Sequence, residues 1–176
     1  MKQIEVRRHT IRRKPDQHLS QAGVELARRV GAAMGPFHRV ITSPIPRAFE
    51  TAIAMGFAVD EQADWLSLIV DGIEDEIAWD AGFFAWAETR QQGGAVSGYC
   101  DQLAMHLRSV ARLLPDDRAA LLVTHGGIIE AGTVGCLPKA DYAAWGDYVD
   151  YCEGVRLRYE DGQFIGGEVL RVEDAS

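Results

Sequence analysis

The stretch that most restricts the fold is a continuous run of small apolar residues, Ala119 to Val123, which ends in Thr124-His125-Gly126-Gly127. A strand without polar alternation is typical of a sheet that is covered on both faces, as in proteins with parallel strands and flanking helices. Strand-like and helix-like segments alternate through the rest of the chain. The sequence therefore predicts a three-layer α/β/α sandwich with a mostly parallel sheet, formed by a single domain of residues 1–176.

Local patterns predict where the elements lie. Period-two alternation predicts a first strand that begins at Ile4, and a hairpin whose turn is Asp161-Gly162. A second short strand is predicted at residues 37–42. Apolar spacing and terminal signals predict helices at residues 20–34, 47–55, 74–90 and 97–114, and another from residue 128 onward. Residues 65–70 fit either a strand or a buried extended segment.

Residue types suited to phosphate chemistry follow three of the predicted strands. The segments are Arg8-His9-Thr10, the decapeptide 43–52 with the pattern Ser-Pro-x-x-Arg-Ala-x-x-Thr-Ala, and Thr124-His125-Gly126. Ligands of a parallel sheet bind beyond the carboxyl ends of its strands, so these segments are expected to converge. One guanidinium group can bind two phosphate oxygens at once, and a neutral imidazole can attack phosphorus. The pattern predicts a phosphoryl site.

In this order, the three segments resemble the histidine phosphatase superfamily, which includes the phosphoglycerate mutases and the phosphohistidine phosphatases. Leu19-Ser20-x-x-Gly23 resembles the helix start of that family, and the resemblance covers roughly residues 4–130. It implies a phosphoglycerate mutase-like fold and a ping-pong reaction without metal or cofactor. The roles that it implies are a nucleophile at His9, a phosphate clamp at Arg8 and Arg47, and a transition-state ligand at His125.

Further site residues are expected around this centre. Thr10 and Ser43 offer hydroxyl contacts to the substrate, and Gly126, Arg12 and Asp71 complete the expected binding set. The basic run that contains Arg12 fits either a solvated loop or an element that selects a second anionic group.

A proton donor for the leaving group is expected among the acids at positions 71, 74, 75 and 76, with Glu74 preferred and Asp71 second. These acids fit equally well the negatively charged first turn of a helix. Trp79, Phe83, Phe84 and Trp86 are predicted to belong to the core, with the alternative that one of them lines a pocket above the phosphate.

Two departures from the family pattern bear on the activity. Thr10 stands where the family usually has glycine, and the stretch between His9 and Leu19 is shorter than in the mutases. The short stretch favours a phosphatase acting on a phosphomonoester or phosphoramidate. The alternatives are a mutase-like phosphotransferase and a non-catalytic phosphate-binding module.

Charge distinguishes the classes of partner. The formal charge is -8 at pH 7, yet six of the 18 Lys and Arg side chains, and only one of the 26 acidic ones, lie in the first 14 residues. The rest of the chain therefore holds 12 basic and 25 acidic side chains. This balance argues against nucleic-acid and membrane partners, which need a broad basic face. A local basic pocket suits a small phosphorylated molecule or a phosphoprotein.

Cysteine usage and hydropathy predict the compartment. Cys100, Cys136 and Cys152 form an odd set without a Cys-x-x-Cys pair, which supports neither a disulfide framework nor a zinc site. We expect reduced thiols in a cytoplasmic protein. No stretch approaches the roughly 18 apolar residues of a membrane span. The oligomeric state stays open.

Overall fold

A six-stranded mixed sheet lies at the centre of the fold, in the order β3-β2-β4-β1-β5-β6. The computed structural model of the protein describes residues 1–173, so the last three residues of the predicted domain lie outside the described residues. The four strands β3, β2, β4 and β1 pair in parallel, and the β5–β6 hairpin adds two antiparallel strands. The α/β fold predicted from the sequence is confirmed. The strands are β1 (Lys2–Arg8), β2 (Arg39–Thr42), β3 (Glu61–Gln62), β4 (Ala119–Thr124), β5 (Gly154–Glu160) and β6 (Gln163–Leu170).

Helices cover both faces of the sheet, as the apolar run predicted. The helices are α1 (Gln21–Gly31), α2 (Pro46–Ala54), α3 (Ile73–Glu76), α4 (Gly82–Gln91), α5 (Gly94–Leu113) and α6 (Ile128–Cys136). In β4, Ala120 and Leu122 belong to the large core cluster with α5 and α6, whereas Leu121 and Val123 pack in a cluster with α2. All four side chains are fully buried. Burying a Leu or Val side chain stabilises the fold by about 1.5–3 kcal/mol, so both faces of β4 contribute.

The segment between β3 and α5 differs from the prediction. The predicted helix 74–90 is two helices, α3 and α4, because the backbone becomes extended at Ile77, with φ −154° and ψ 147°. Helix α4 then begins at Gly82, which has a left-handed φ of 82°. The predicted buried stretch 65–70 is instead a 3₁₀ turn at Asp64–Leu66 followed by exposed Leu68 and Ile69. Phe83 and Trp86 are core residues, whereas Phe84 is exposed.

Helix α5 begins at Gly94 and not at the predicted cap Ser97. The side chain of Glu76 accepts hydrogen bonds from the backbone N–H groups of Ala95, at 2.8 Å, and Val96, at 2.9 Å. A carboxylate from another helix therefore caps α5, which local sequence signals could not indicate. Within residues 1–173, none of the helices combines the length and the apolar character that a membrane span needs.

Candidate active site

The three predicted segments meet at one edge of the sheet. Arg8 and Thr124, the last residues of β1 and β4, are register partners, and Thr42 at the end of β2 pairs with Val123. The backbone N–H of His9 donates to the Thr124 carbonyl at 2.9 Å, which continues the ladder by one residue. The carboxyl ends of three neighbouring parallel strands thus deliver both histidine segments and the Ser43 segment to the same place.

His9 is held in one tautomer by its hydrogen bonds. Its Nδ1 lies 2.7 Å from the Thr10 carbonyl oxygen, which can only accept, so Nδ1 carries the proton. Nε2 keeps its lone pair and accepts from Nε of Arg47 at 3.1 Å. Burial, followed by the charges of Arg47 and Arg8, lowers the pKa of His9 to about 4, although the Thr10 carbonyl opposes the shift. The imidazole is therefore neutral at pH 7, and Nε2 is the nitrogen that carries the lone pair.

His125 lies beside His9, with a distance of 5.3 Å between the ring centroids. Its Nε2 is 2.8 Å from Oγ of Ser43, and that oxygen also accepts from the backbone N–H of Ile45 at 3.2 Å. Burial lowers the pKa of His125 to about 3, with further contributions from His9 and the neighbouring arginines. Ser43 therefore contacts the second histidine directly.

The guanidinium of Arg8 is fixed by a segment that the sequence analysis missed, residues 149–151. Nη1 of Arg8 donates to the Val149 carbonyl at 3.0 Å and lies 3.7 Å from a carboxylate oxygen of Asp150. The guanidinium carbon is 4.7 Å from the ring centroid of Tyr151, which is within cation–π range. A Cβ at Gly126 would lie 3.5 Å from the Arg8 side chain, so Gly126 borders the same group.

Arg47 and Arg12 surround His9 with further positive charge. Arg47 lies in the first turn of α2, behind Pro46, and its Nη1 donates to the side-chain oxygen of Gln17. Burial, followed by the charges of Arg12 and Arg8, lowers the pKa of Arg47. The Arg12 side chain donates to the carbonyls of residues 15 and 16, so it is anchored in its loop. The arrangement suits an anion next to His9.

Thr10 does not have the place expected of a substrate contact. The residue is fully buried, and its hydroxyl donates to the Gly23 carbonyl at 2.9 Å. Its backbone N–H donates to Oγ1 of Thr51 at 3.0 Å. A Cβ at Gly23 would lie 2.1 Å from the Ile11 carbonyl oxygen, so glycine permits this close approach of α1. The expected hydroxyl contact with substrate is corrected: Thr10 joins the end of β1 to α1.

The candidate acids differ in their surroundings. Asp71 and Glu74 are exposed, and Glu76 is engaged as the cap of α5. Oε1 of Glu74 accepts from the indole N–H of Trp79 at 3.4 Å. A Cβ at Gly127 would lie 2.1 Å from a ring atom of Trp79, so the indole packs against the turn that follows His125. Glu74 is thus connected to the site through Trp79.

Glu130 is a second feature that the sequence analysis missed. It is fully buried, and its oxygens accept from the backbone N–H groups of Gly127, at 2.7 Å, and Val149, at 2.8 Å. Burial raises its pKa, which the two N–H groups oppose. Its signal in the sequence is a single carboxylate in an otherwise apolar helix. The contacts of residues 149–151 have no comparable signal, because they join positions about 140 apart.

Among residues 1–173, His, Cys, Asp and Glu side chains form no group of three or more that could hold a metal ion. The three cysteines are buried free thiols. The site that the structure describes is therefore built from two imidazoles and a set of guanidinium groups.

Comparison with known proteins places these observations in a family. The model of the histidine phosphatase superfamily (branch 1) matches residues 3–169. No curated protein sequence matches this chain.

Solved structures share the fold at low sequence identity. Phosphoserine phosphatase from Entamoeba histolytica, in complex with 3-phosphoglyceric acid, superimposes with a TM-score of 0.71 at 17% identity, over 98% of each chain. A mycobacterial glucosyl-3-phosphoglycerate phosphatase complexed with VO3 gives 0.67 at 19%, over 97% of this chain and 99% of the other. A phosphoglycerate mutase from Bacillus anthracis gives 0.64 at 17%, over 97% and 92%.

Proposed function

Since the chain belongs to branch 1 of the histidine phosphatase superfamily, we propose that it is a phosphatase that acts through a phosphohistidine at His9. The observation that carries this proposal is the state of the His9 ring. Its Nδ1 proton is held by a carbonyl, its pKa is lowered to about 4, and its Nε2 lone pair faces the guanidinium of Arg47. A nucleophile that is neutral at pH 7 needs no separate base to activate it.

The proposed reaction has two steps. Nε2 of His9 attacks phosphorus, the bond to the leaving oxygen breaks, and that oxygen takes a proton from Glu74. Water then attacks phosphorus, the N–P bond breaks, the proton of water returns to Glu74, and inorganic phosphate leaves. Arg8 and Arg47 bind the phosphoryl oxygens, and His125 stabilises the transferring group. Fixed positive groups around a transferring phosphoryl supply most of the stabilisation, so the proposed reaction uses no metal.

For the substrate we infer a small phosphorylated molecule or a phosphorylated protein side chain. The structures with the same fold include phosphatases of phosphoserine and of glucosyl-3-phosphoglycerate. The charge of Arg12 acts on both His9 and Arg47. A cation whose charge reaches His9 supports a substrate that carries a second anionic group near its phosphate.

The test is hydrolysis of p-nitrophenyl phosphate in the presence of a chelator. We expect turnover by the wild type, and a loss of about a thousand-fold or more in His9→Ala, because the nucleophile is removed. His38→Ala is the matched control, since this histidine is exposed and lies outside the site. Phosphate binding without turnover of phosphomonoesters and phosphohistidine peptides would support the binding module. Transfer between two positions of one substrate, with little free phosphate, would support the mutase.

A further inference from the structure

Glu130 connects the two halves of the site with one side chain. It lies in the first turn of α6, and one of its oxygens accepts from Gly127, two residues after His125. The other oxygen accepts from Val149, 19 residues further along the chain. The carboxylate therefore holds the His125 turn and the segment 149–151 at a fixed separation.

That segment is the one that holds Arg8. The carbonyl of Val149 accepts from Arg8, Asp150 lies at ion-pair distance, and the ring of Tyr151 lies against the guanidinium. The N–H of Val149 binds Glu130 while its carbonyl binds Arg8. The backbone of Val149 thus links the Glu130 carboxylate to Arg8, which is proposed to bind phosphate.

Helix capping explains only part of this arrangement. The N-cap residue of α6 is Gly127, which has no side chain, so one Glu130 oxygen serves the orphan N–H there. The bond to Val149 contributes nothing to the helix end. A buried carboxylate is costly to desolvate, and a glutamine has a single oxygen to accept with. Two N–H groups that approach separate oxygens require a carboxylate.

We propose that Glu130 is a positioning residue, which sets Arg8 relative to His125 and thereby determines how tightly the site binds phosphate. The inference rests on the proposed phosphate site, but its consequence for phosphate binding is separate from turnover. It assigns a specific effect to a residue that touches neither the substrate nor the reacting atoms.

The experiment compares Glu130→Gln with Glu5→Gln. Glu5 is the matched control because it is also a buried carboxylate, and its hydrogen bonds go to Arg7, at 2.8 Å, and Arg156, at 3.0 Å, rather than to Arg8 or residues 149–151. Both variants are expected to unfold more easily than the wild type. Only Glu130→Gln is expected to weaken binding of inorganic phosphate, by about ten- to a hundred-fold, with a matching rise in KM, because Arg8 is displaced.

A double variant tests whether the effect passes through Arg8. In an Arg8→Lys background, Glu130→Gln is expected to weaken phosphate binding by less than about three-fold, because the group that it positions is already changed. Glu130→Asp keeps both acceptor oxygens and is expected to retain the fold and an intermediate affinity. It carries the test if Glu130→Gln does not fold.

Three results would overturn the inference: wild-type phosphate affinity in Glu130→Gln and Glu130→Asp, equal losses in the Glu130 and Glu5 variants, or full additivity with Arg8→Lys. Binding of phosphate by the wild type without hydrolysis would refute the proposed phosphatase, and the Glu130 comparison would stand. A wild type that does not bind phosphate would remove both proposals.

Discussion

The chemistry of the site is decided at individual nitrogen and oxygen atoms. The Thr10 carbonyl fixes the tautomer of His9. Burial lowers the pKa of His9 to about 4, so the ring is neutral at pH 7. Burial also lowers the pKa of His125, so neither imidazole ring carries a positive charge at pH 7. The cations that remain are guanidinium groups, which stay protonated and match phosphate oxygens in pairs. One set of residues thus places a neutral imidazole among positively charged guanidinium groups.

The proposed role of Glu74 as proton donor can be tested with substrates whose leaving groups differ in basicity. We expect Glu74→Gln to lower kcat/KM for alkyl phosphates by about a hundred-fold or more, because general acid catalysis contributes roughly 10²–10⁴ in rate. Aryl phosphates should lose much less, since their leaving groups depart without a proton. The measurement is kcat/KM for one alkyl and one p-nitrophenyl ester.

Two further variants serve as comparisons for Glu74→Gln. Asp75→Asn changes an exposed carboxylate in the same short helix and should leave both substrates unaffected. Asp71→Asn examines the second candidate. Equal losses on alkyl and aryl esters in Glu74→Gln would exclude Glu74 as the proton donor, and a selective loss in Asp71→Asn would transfer the role to Asp71.

At the scale of elements, the strand ends were predictable and the connection between β3 and α5 was not. Strands β1 and β4 follow from local apolar patterns, so the positions of His9 and His125, which directly follow these strands, could be predicted with them. The first helix ends at Glu76 without a glycine or proline to mark the end, and α4 begins at Gly82 beside the backbone of Tyr148, a contact that is not encoded locally. Likewise, Glu130 was missed because its second partner, Val149, comes from a different part of the fold.

The cap of α5 gives a prediction about an element. Replacing Glu76 by alanine removes the acceptor for two orphan N–H groups of the first turn, and we expect Tm to fall by roughly 2–4 °C. Glu88→Ala is the control, because that glutamate is exposed within α4. Thermal unfolding followed by circular dichroism measures both variants. Identical Tm values for Glu76→Ala and the wild type would mean that water replaces the carboxylate without cost.

For the whole molecule, the site is a small cluster of basic side chains in an acidic protein. The net charge of -8 leaves the general surface unfavourable for anions, whereas the guanidinium groups around His9 attract them. Positive charge that is concentrated at one place on an acidic protein attracts small anions to that place. The same cations and the burial that lower the histidine pKa values also make the stability of the fold depend on pH.

The two site histidines should destabilise the fold as the pH falls from 7 to 5. Folded, they have pKa values of about 4 and about 3, while an unfolded histidine titrates near 6.5. Between pH 7 and pH 5, the two histidines therefore bind protons in the unfolded chain but not in the folded protein. Their contribution to the free energy of unfolding is fully present above the unfolded pKa of about 6.5, and it is lost as the pH falls toward the pKa values of the folded protein. The expected loss is about 2 kcal/mol for each histidine.

Urea unfolding at pH 7 and pH 5 measures this loss. In the His9→Asn/His125→Asn double variant, most of the difference in the free energy of unfolding should disappear, because neither state then titrates at these positions. Most carboxylates contribute below pH 5, and Glu130, whose pKa burial raises, is the same in both proteins, so the comparison of wild type and double variant isolates the two histidines. His38→Asn is the control, since His38 is exposed and distant in sequence from both site histidines. A double variant that loses as much stability as the wild type would show that the site histidines titrate normally in the folded protein.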